Sequence, residues 1–271
     1  MEWPLPRAAP SGRLAPVVIV CPDAATIAAR ALDLVVDALL AACRQRGVAH
    51  LALTGGSSAA ALFGRITEDA RARHVDWSQV HLWQGDERFV PLAHDDSNWA
   101  VALREWLDRD GAPFVPPANR HPIPVEAAMA TDGDAESAAR AYGEEMARTL
   151  PRRDGLPAFD VWLLGVGSDG HLLSAFPGGA AVNQGDRPGA ALALGVPAPT
   201  HIEPHLPRVT LSPHLLAAAS MLVVMVPGAA KAAIVARCFR EPRDPGRLPA
   251  QAAVRPNAVW LLEEASAAEL R

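Results

Sequence analysis

Short aliphatic runs alternate along this chain with alanine-rich segments of helical period, and no other feature constrains the fold as much. VVIV (17–20), HLAL (50–53), VHLW (80–83), FDVWLLGVG (159–167), RVTL (208–211), MLVVMV (221–226) and AVWLL (258–262) read as strands. Residues 22–47, 57–66, 95–111, 134–150 and 229–239 read as helices. Asp23 is placed to cap the first of these, and Gly47 follows its basic last turn. FDVWLL is almost continuously apolar, as a strand covered on both faces must be. The pattern predicts an α/β fold, a single-domain Rossmann-like, mostly parallel sheet with helices on both faces. Residues 258–270 are expected to form a strand followed by a helix.

The proline- and glycine-rich stretches 111–125, 177–207 and 241–249 separate no segments able to fold alone, so they read as surface excursions. One domain is expected over residues 17–271, behind a proline-rich leader at 1–16 that lacks the order of a signal peptide. The longest apolar stretch, 215–236, is broken by Pro227-Gly228 and carries Lys231, which suits a buried strand, turn and helix better than a membrane span. A net charge of −5 argues against a broad basic surface for nucleic acid, yet leaves room for a small anionic substrate held by a few local cations. Three widely spaced cysteines form no metal or disulfide pattern, and reduced thiols point to the cytoplasm.

In a parallel sheet of this kind, ligands bind outside the carboxyl ends of the strands. Four polar or glycine-rich loops fall there. TGGSS (54–58) offers Gly55 and Gly56 for a tight turn, the free amides of a following helix, and the hydroxyls of Ser57 and Ser58, together an anion site. An ordinary serine-capped turn is the plainer alternative. GDER (85–88) sets Asp86, Glu87 and Arg88 directly after a strand; a solvated turn with a local ion pair is the plainer alternative. GVGSDGH (165–171) has the G-x-G-x-x-G spacing of a dinucleotide turn, but Pro177-Gly178 leaves room for barely two helical turns after it, and no acidic residue stands on a clear second strand. The glycines instead permit a tight loop presenting Asp169 and His171, and histidine can take and return a proton near neutral pH. Arg208 opens a strand and Lys231 a helix; together they can hold a phosphate, while each alone reads as a surface cation. His201 and His205 have Pro204 between them, and no H-E-x-x-H or G-x-S-x-G occurs, so neither zinc nor a serine nucleophile is expected.

Six ordered blocks, LALTGGSSAAALF, GDERFVPLAHDDSNW, FDVWLLGVGSDGHLLSAFPG, RVTLS, GAAKA and LPAQAAVRPNAVWLLEEA, closely resemble the 6-phosphogluconolactonase family, in the group shared with glucosamine-6-phosphate isomerase. They run from about residue 51 to 264. The resemblance implies hydrolysis of 6-phospho-D-glucono-1,5-lactone in the oxidative pentose phosphate pathway, with no cofactor and no metal. It implies that His171 activates water, that Asp169 or Asp86 orients the histidine or the substrate hydroxyls, and that Arg88 helps fix the site. It also implies that the 6-phosphate lies against Gly55, Gly56, Ser57, Ser58, Arg208 and Lys231. The expected partner is the small sugar-phosphate lactone, with no nucleic acid and no membrane; a monomer and a dimer are both compatible. Against the family's usual motifs, Ser58 stands for Thr, Ala59 for Pro, Gly85 for Ala or Met, and Leu172, Leu173 and Ala175 change the middle of a loop that keeps His171, Ser174, Phe176 and Pro177. The alternatives are a deaminase/isomerase, whose loop resembles this one but carries a glutamate where Phe176 stands, and a non-catalytic sugar-phosphate-binding domain.

Overall fold

The computed structural model describes residues 15–183 and 190–270. The leader expected at 1–16 therefore lies outside the described residues except for its last two positions. Along the described chain the strands are β1 (Val17–Cys21), β2 (Ala49–Leu53), β3 (Val80–Gln84), β4 (Asp86–Arg88), β5 (Arg120–His121), β6 (Arg152–Arg153), β7 (Leu156–Pro157), β8 (Val161–Gly165), β9 (Ala193–Val196), β10 (Arg208–Leu211), β11 (Met221–Val226) and β12 (Ala258–Glu263). The α-helices are α1 (Ala24–Arg46), α2 (Gly56–Glu68), α3 (Asn98–Ala102), α4 (Val125–Met129), α5 (Ala135–Thr149), α6 (Ala180–Asn183) and α7 (Ala232–Arg240).

Seven strands form one sheet in the order β1-β12-β11-β8-β2-β3-β5, and every pairing in it is parallel. Successive residues of a strand face opposite sides of the sheet. On β8, Val161 and Leu163 join the core beneath α1 and α2, while Trp162 and Leu164 join the core beneath α5 and α7. The helices answer from both sides: Ile27, Leu32, Val35 and Leu39 of α1 on one face, Tyr142 and Met146 of α5 with Ile234 and Val235 of α7 on the other. Each such side chain contributes about 1.5–3 kcal/mol on burial, so the continuous apolar strands are what the two helical layers require. The ends of α1 follow its sequence: Asp23 accepts from the Thr26 amide at 2.7 Å, and Gly47 closes the helix in the left-handed region. Among the described residues no helix is long and apolar enough to cross a membrane.

Four details depart from the pattern. RVTL does form a strand, but β10 pairs antiparallel with β4 and β9 in a separate three-stranded sheet, because a short apolar run does not carry its pairing partner. β9 itself lies inside the stretch expected to be a plain excursion. The helix expected at 95–111 begins only at Asn98, where Ser97 caps it by accepting from the Ala100 amide, and it passes into a π-helical turn over Leu103–Leu107. Among the described residues after β12 there is no α-helix, only a 3-10 turn at Ala268–Leu270; the Ser266 hydroxyl donates to the Val226 carbonyl at 2.6 Å and pins the chain against the sheet.

The chain leaves β2 toward β3 and β5 on one side of the sheet and leaves β8 toward β11 and β12 on the other. β2 and β8 are neighbours, so a crevice opens between their carboxyl ends at the point where the strand order reverses. TGGSS leaves one of these strands and GVGSDGH leaves the other.

Candidate active site

A pocket of about 390 Å³ occupies this crevice. Gly55, Gly56, Ser57, Ser58, Asp86, Arg88, His171, Arg208 and Lys231 all line it, and Asp169 stands one hydrogen bond behind His171. Residues from five places in the sequence thus meet at one edge of the sheet.

The glycine-rich stretch after β8 forms no helix. It is a tight loop, bridged between Val166 and Leu172 and between Leu172 and Ala175. Gly167 is needed for a close approach: a Cβ there would stand 2.0 Å from His171 Nδ1. The imidazole rests on that bare backbone, and its Nδ1 lies 2.6 Å from Asp169 Oδ1, which also accepts the His171 amide at 3.0 Å. A ring that donates from Nδ1 keeps its lone pair on Nε2, the form a proton acceptor needs. Burial would raise the Asp169 carboxyl, but the hydrogen bond and charge of His171, with a further bond from His201, outweigh it and hold Asp169 well below the usual carboxylate range. Of the two aspartates, Asp169 is the one that contacts His171. Asp86 instead accepts from the buried Ser174 hydroxyl at 2.7 Å, 88 positions away.

The wall opposite gathers free backbone amides, hydroxyls and cationic side chains. α2 begins at Gly56 with Gly55 as its N-cap, and no side chain caps it, contrary to the serine-capped alternative, so its first-turn amides stay available beside Ser57 and Ser58. Arg208 lies directly across the β4–β10 pair from Arg88. Like charges placed opposite one another repel; burial lowers the Arg208 pKa, and the Arg88 charge lowers it further. The Nε of each arginine is buried with no hydrogen-bond partner. Lys231, half-buried, is also lowered, by burial, with Asp169 acting in the other direction.

The solvated-turn reading of GDER does not hold. Asp86 and Glu87 are buried. Glu87 accepts five hydrogen bonds, from the amides of Arg88, Asn98 and Trp99, from Gln84 Nε2 and from Ser97 Oγ, all at 2.7–2.9 Å. It holds the Arg88 backbone and the start of α3 in place beside the pocket. Sequence reasoning passed over Asn98 and Ile202, weighed Glu87 only as part of the GDER turn, and weighed His201 only as a zinc ligand. Asn98 lines the pocket and donates to the Asp86 carbonyl at 2.9 Å; its place just after a capping serine was the one signal available. Among the described residues no three His, Cys, Asp or Glu side chains are grouped to hold a metal.

Two departures from the resembled motifs are coupled. A Cβ on Gly85 would lie 2.8 Å from Leu173 Cδ2, 3.0 Å from Trp162 Nε1 and 3.1 Å from the Leu53 carbonyl. Leu173, itself at φ +57°, fills the space an alanine at 85 would use. Gly85→Ala is therefore expected to cost about 1–3 kcal/mol by overpacking, read as a lower urea midpoint. Leu173→Ala should cost less in the Gly85→Ala background than in the wild type; equal costs in the two backgrounds would show that the two sites are independent.

Similarity to known proteins agrees with this geometry. The family model for glucosamine-6-phosphate isomerases/6-phosphogluconolactonase matches residues 22–262. A 6-phosphogluconolactonase from Synechocystis sp. is 33% identical over 261 residues, covering 95% of this chain and 100% of the relative. One from Mycobacterium tuberculosis is 36% identical over 252 residues, covering 92% and 96%. The solved structure of 6-phosphogluconolactonase from Trypanosoma brucei superposes with a TM-score of 0.81 at 27% identity, covering 94% of this chain and 99% of that one.

Proposed function

The chain belongs to the glucosamine-6-phosphate isomerase/6-phosphogluconolactonase family, and from that premise we propose that it hydrolyses 6-phospho-D-glucono-1,5-lactone to 6-phospho-D-gluconate, the second step of the oxidative pentose phosphate pathway, with His171 as general base. The observation that carries the reading is the His171–Asp169 pair facing an uncapped helix start and two arginines whose buried Nε atoms have no hydrogen-bond partner, all across one pocket.

The lactone is an activated ester, so catalysis needs position, a base and modest charge stabilisation. The 6-phosphate lies against Ser57, Ser58 and the first amides of α2, with Arg208 and Lys231 supplying charge and Arg88 beside them. Nε2 of His171 takes a proton from water as the water oxygen bonds to C1. The tetrahedral intermediate collapses with cleavage of the bond between C1 and the ring oxygen, and the imidazolium returns its proton to that oxygen. Asp169 keeps the ring oriented; Asp86, fixed by Ser174, is placed to meet substrate hydroxyls. The three free thiols support a cytoplasmic setting.

The direct test is a timed assay on freshly made phosphogluconolactone with spontaneous hydrolysis subtracted. Turnover of the lactone with no ammonia released from glucosamine 6-phosphate is expected; robust ammonia release with no lactone turnover would defeat the reading in favour of a deaminase. Arg208→Ala should raise KM for the phosphorylated lactone about 30-fold, the low end for a broken charge pair because the pocket is open to water. It should barely change the weak activity on unphosphorylated gluconolactone. Equal losses on both substrates would mean that Arg208 supports the fold or the chemistry instead.

A further inference from the structure

Asp169 carries a second imidazole. Its Oδ1 is occupied by the ring and amide of His171, and its Oδ2 lies 3.0 Å from Nε2 of His201, 32 positions further along and on the segment between β9 and β10. Resting on the reading of His171 as base, we propose that His201 is a positioning residue, which clamps the far oxygen of Asp169 so that the near oxygen stays in the plane of the His171 ring.

A carboxylate held at one oxygen can still swing about its Cβ–Cγ bond; one held at both cannot. The surroundings are built around this clamp. The Phe176 ring stands edge-on to His201 at 5.7 Å and tilted against His171 at 5.1 Å, so it fills the angle between the two imidazoles. The Arg208 guanidinium covers the same ring at 5.4 Å. His201 does not line the pocket, but its neighbour Ile202 does, so the clamp also fastens that wall to the histidine loop. The clamp needs only a donor at Nε2 of His201. The His201 side chain is 52% exposed, so its removal leaves no hole in the core.

The test uses the full chain and four variants, His201→Ala, His201→Gln, Asp169→Asn and the double His201→Ala/Asp169→Asn, with His171→Ala as reference. His201→Ala should lower kcat on phosphogluconolactone on the order of tenfold, the scale expected when an orienting partner behind an active group is lost, and should leave KM within about twofold. Glutamine, whose amide can donate to Oδ2, should restore most of kcat. In the Asp169→Asn background, His201→Ala should cost nothing further, because its partner is already gone. Wild-type kcat in His201→Ala, additive losses in the double variant, or the same fall in kcat and rise in KM for alanine and glutamine alike would each overturn the clamp. If His171→Ala and Asp169→Asn lose activity and His201→Ala does not, only the clamp falls. If His171→Ala keeps wild-type kcat, the base assignment falls and takes the clamp with it.

Discussion

Replacing His171 by alanine is expected to lower kcat by roughly 10²–10⁴-fold, the range for a group that transfers a proton in the rate-limiting step, while the protein stays folded. The fold should survive because the imidazole lies at the pocket surface, against the backbone of Gly167 rather than inside either core. The amide of His171 can still bond Asp169 Oδ1 and hold the loop. What disappears is Nε2, the atom proposed to take a proton from water. KM should change little, since the proposed phosphate contacts of Ser57, Ser58, Arg208 and Lys231 are untouched. A folded variant with near-normal kcat would remove His171 from the mechanism and leave Asp86 as the remaining carboxylate base facing the pocket.

The second large effect is on stability. Glu87→Gln is expected to lower unfolding free energy by about 1–3 kcal/mol, the cost of leaving buried hydrogen-bond donors unsatisfied. Burial pushes the Glu87 carboxyl up, and donated hydrogen bonds, led by the Asn98 amide, oppose it. Every neighbour of the two oxygens is a donor. Arg88 and Asn98 amides meet Oε1, while the Trp99 amide, Gln84 Nε2 and Ser97 Oγ meet Oε2. Gln84 cannot turn its amide round without loss, because its own Oε1 accepts from the Ile123 amide at 2.6 Å. A glutamine at 87 must therefore point an N–H at two other N–H groups, whichever way it sits. Urea unfolding measures the loss, and an unchanged midpoint would mean that the site holds a neutral side chain as well as a charged one.

The architecture was legible because both sheet faces are covered, which forces continuous apolar strands and amphipathic helices into the sequence. The site was legible for a related reason. Once the strands are marked, the loops after β2, β3, β8 and β11 must share an edge, so Ser57, Asp86, His171 and Lys231 fall together without any knowledge of distance. Pairings were not legible. That Arg208 faces Arg88 depends on an antiparallel register between segments 120 positions apart. That Asp86 answers to Ser174, leaving Asp169 to His171, depends on how a tight loop folds over a neighbouring sheet. Glu87 reads as a surface charge until five donors are seen around it. A short polar motif carries chemistry in its letters, but burial and partners belong to the tertiary structure.

The contact between Gly85 and Leu173 also bears on how parts of this scaffold can be exchanged. The histidine loop is not a portable module. Set into a homologous scaffold with alanine beside the Asp-Glu-Arg strand, it would bring Leu173 against a methyl group; the reverse graft would leave an unfilled gap under the loop. The order of change matters in the same way. A glycine acquired first leaves a small void that later accepts leucine, whereas a leucine acquired first must wait, overpacked, for the glycine. The permissive route runs through the residue that contributes no side chain.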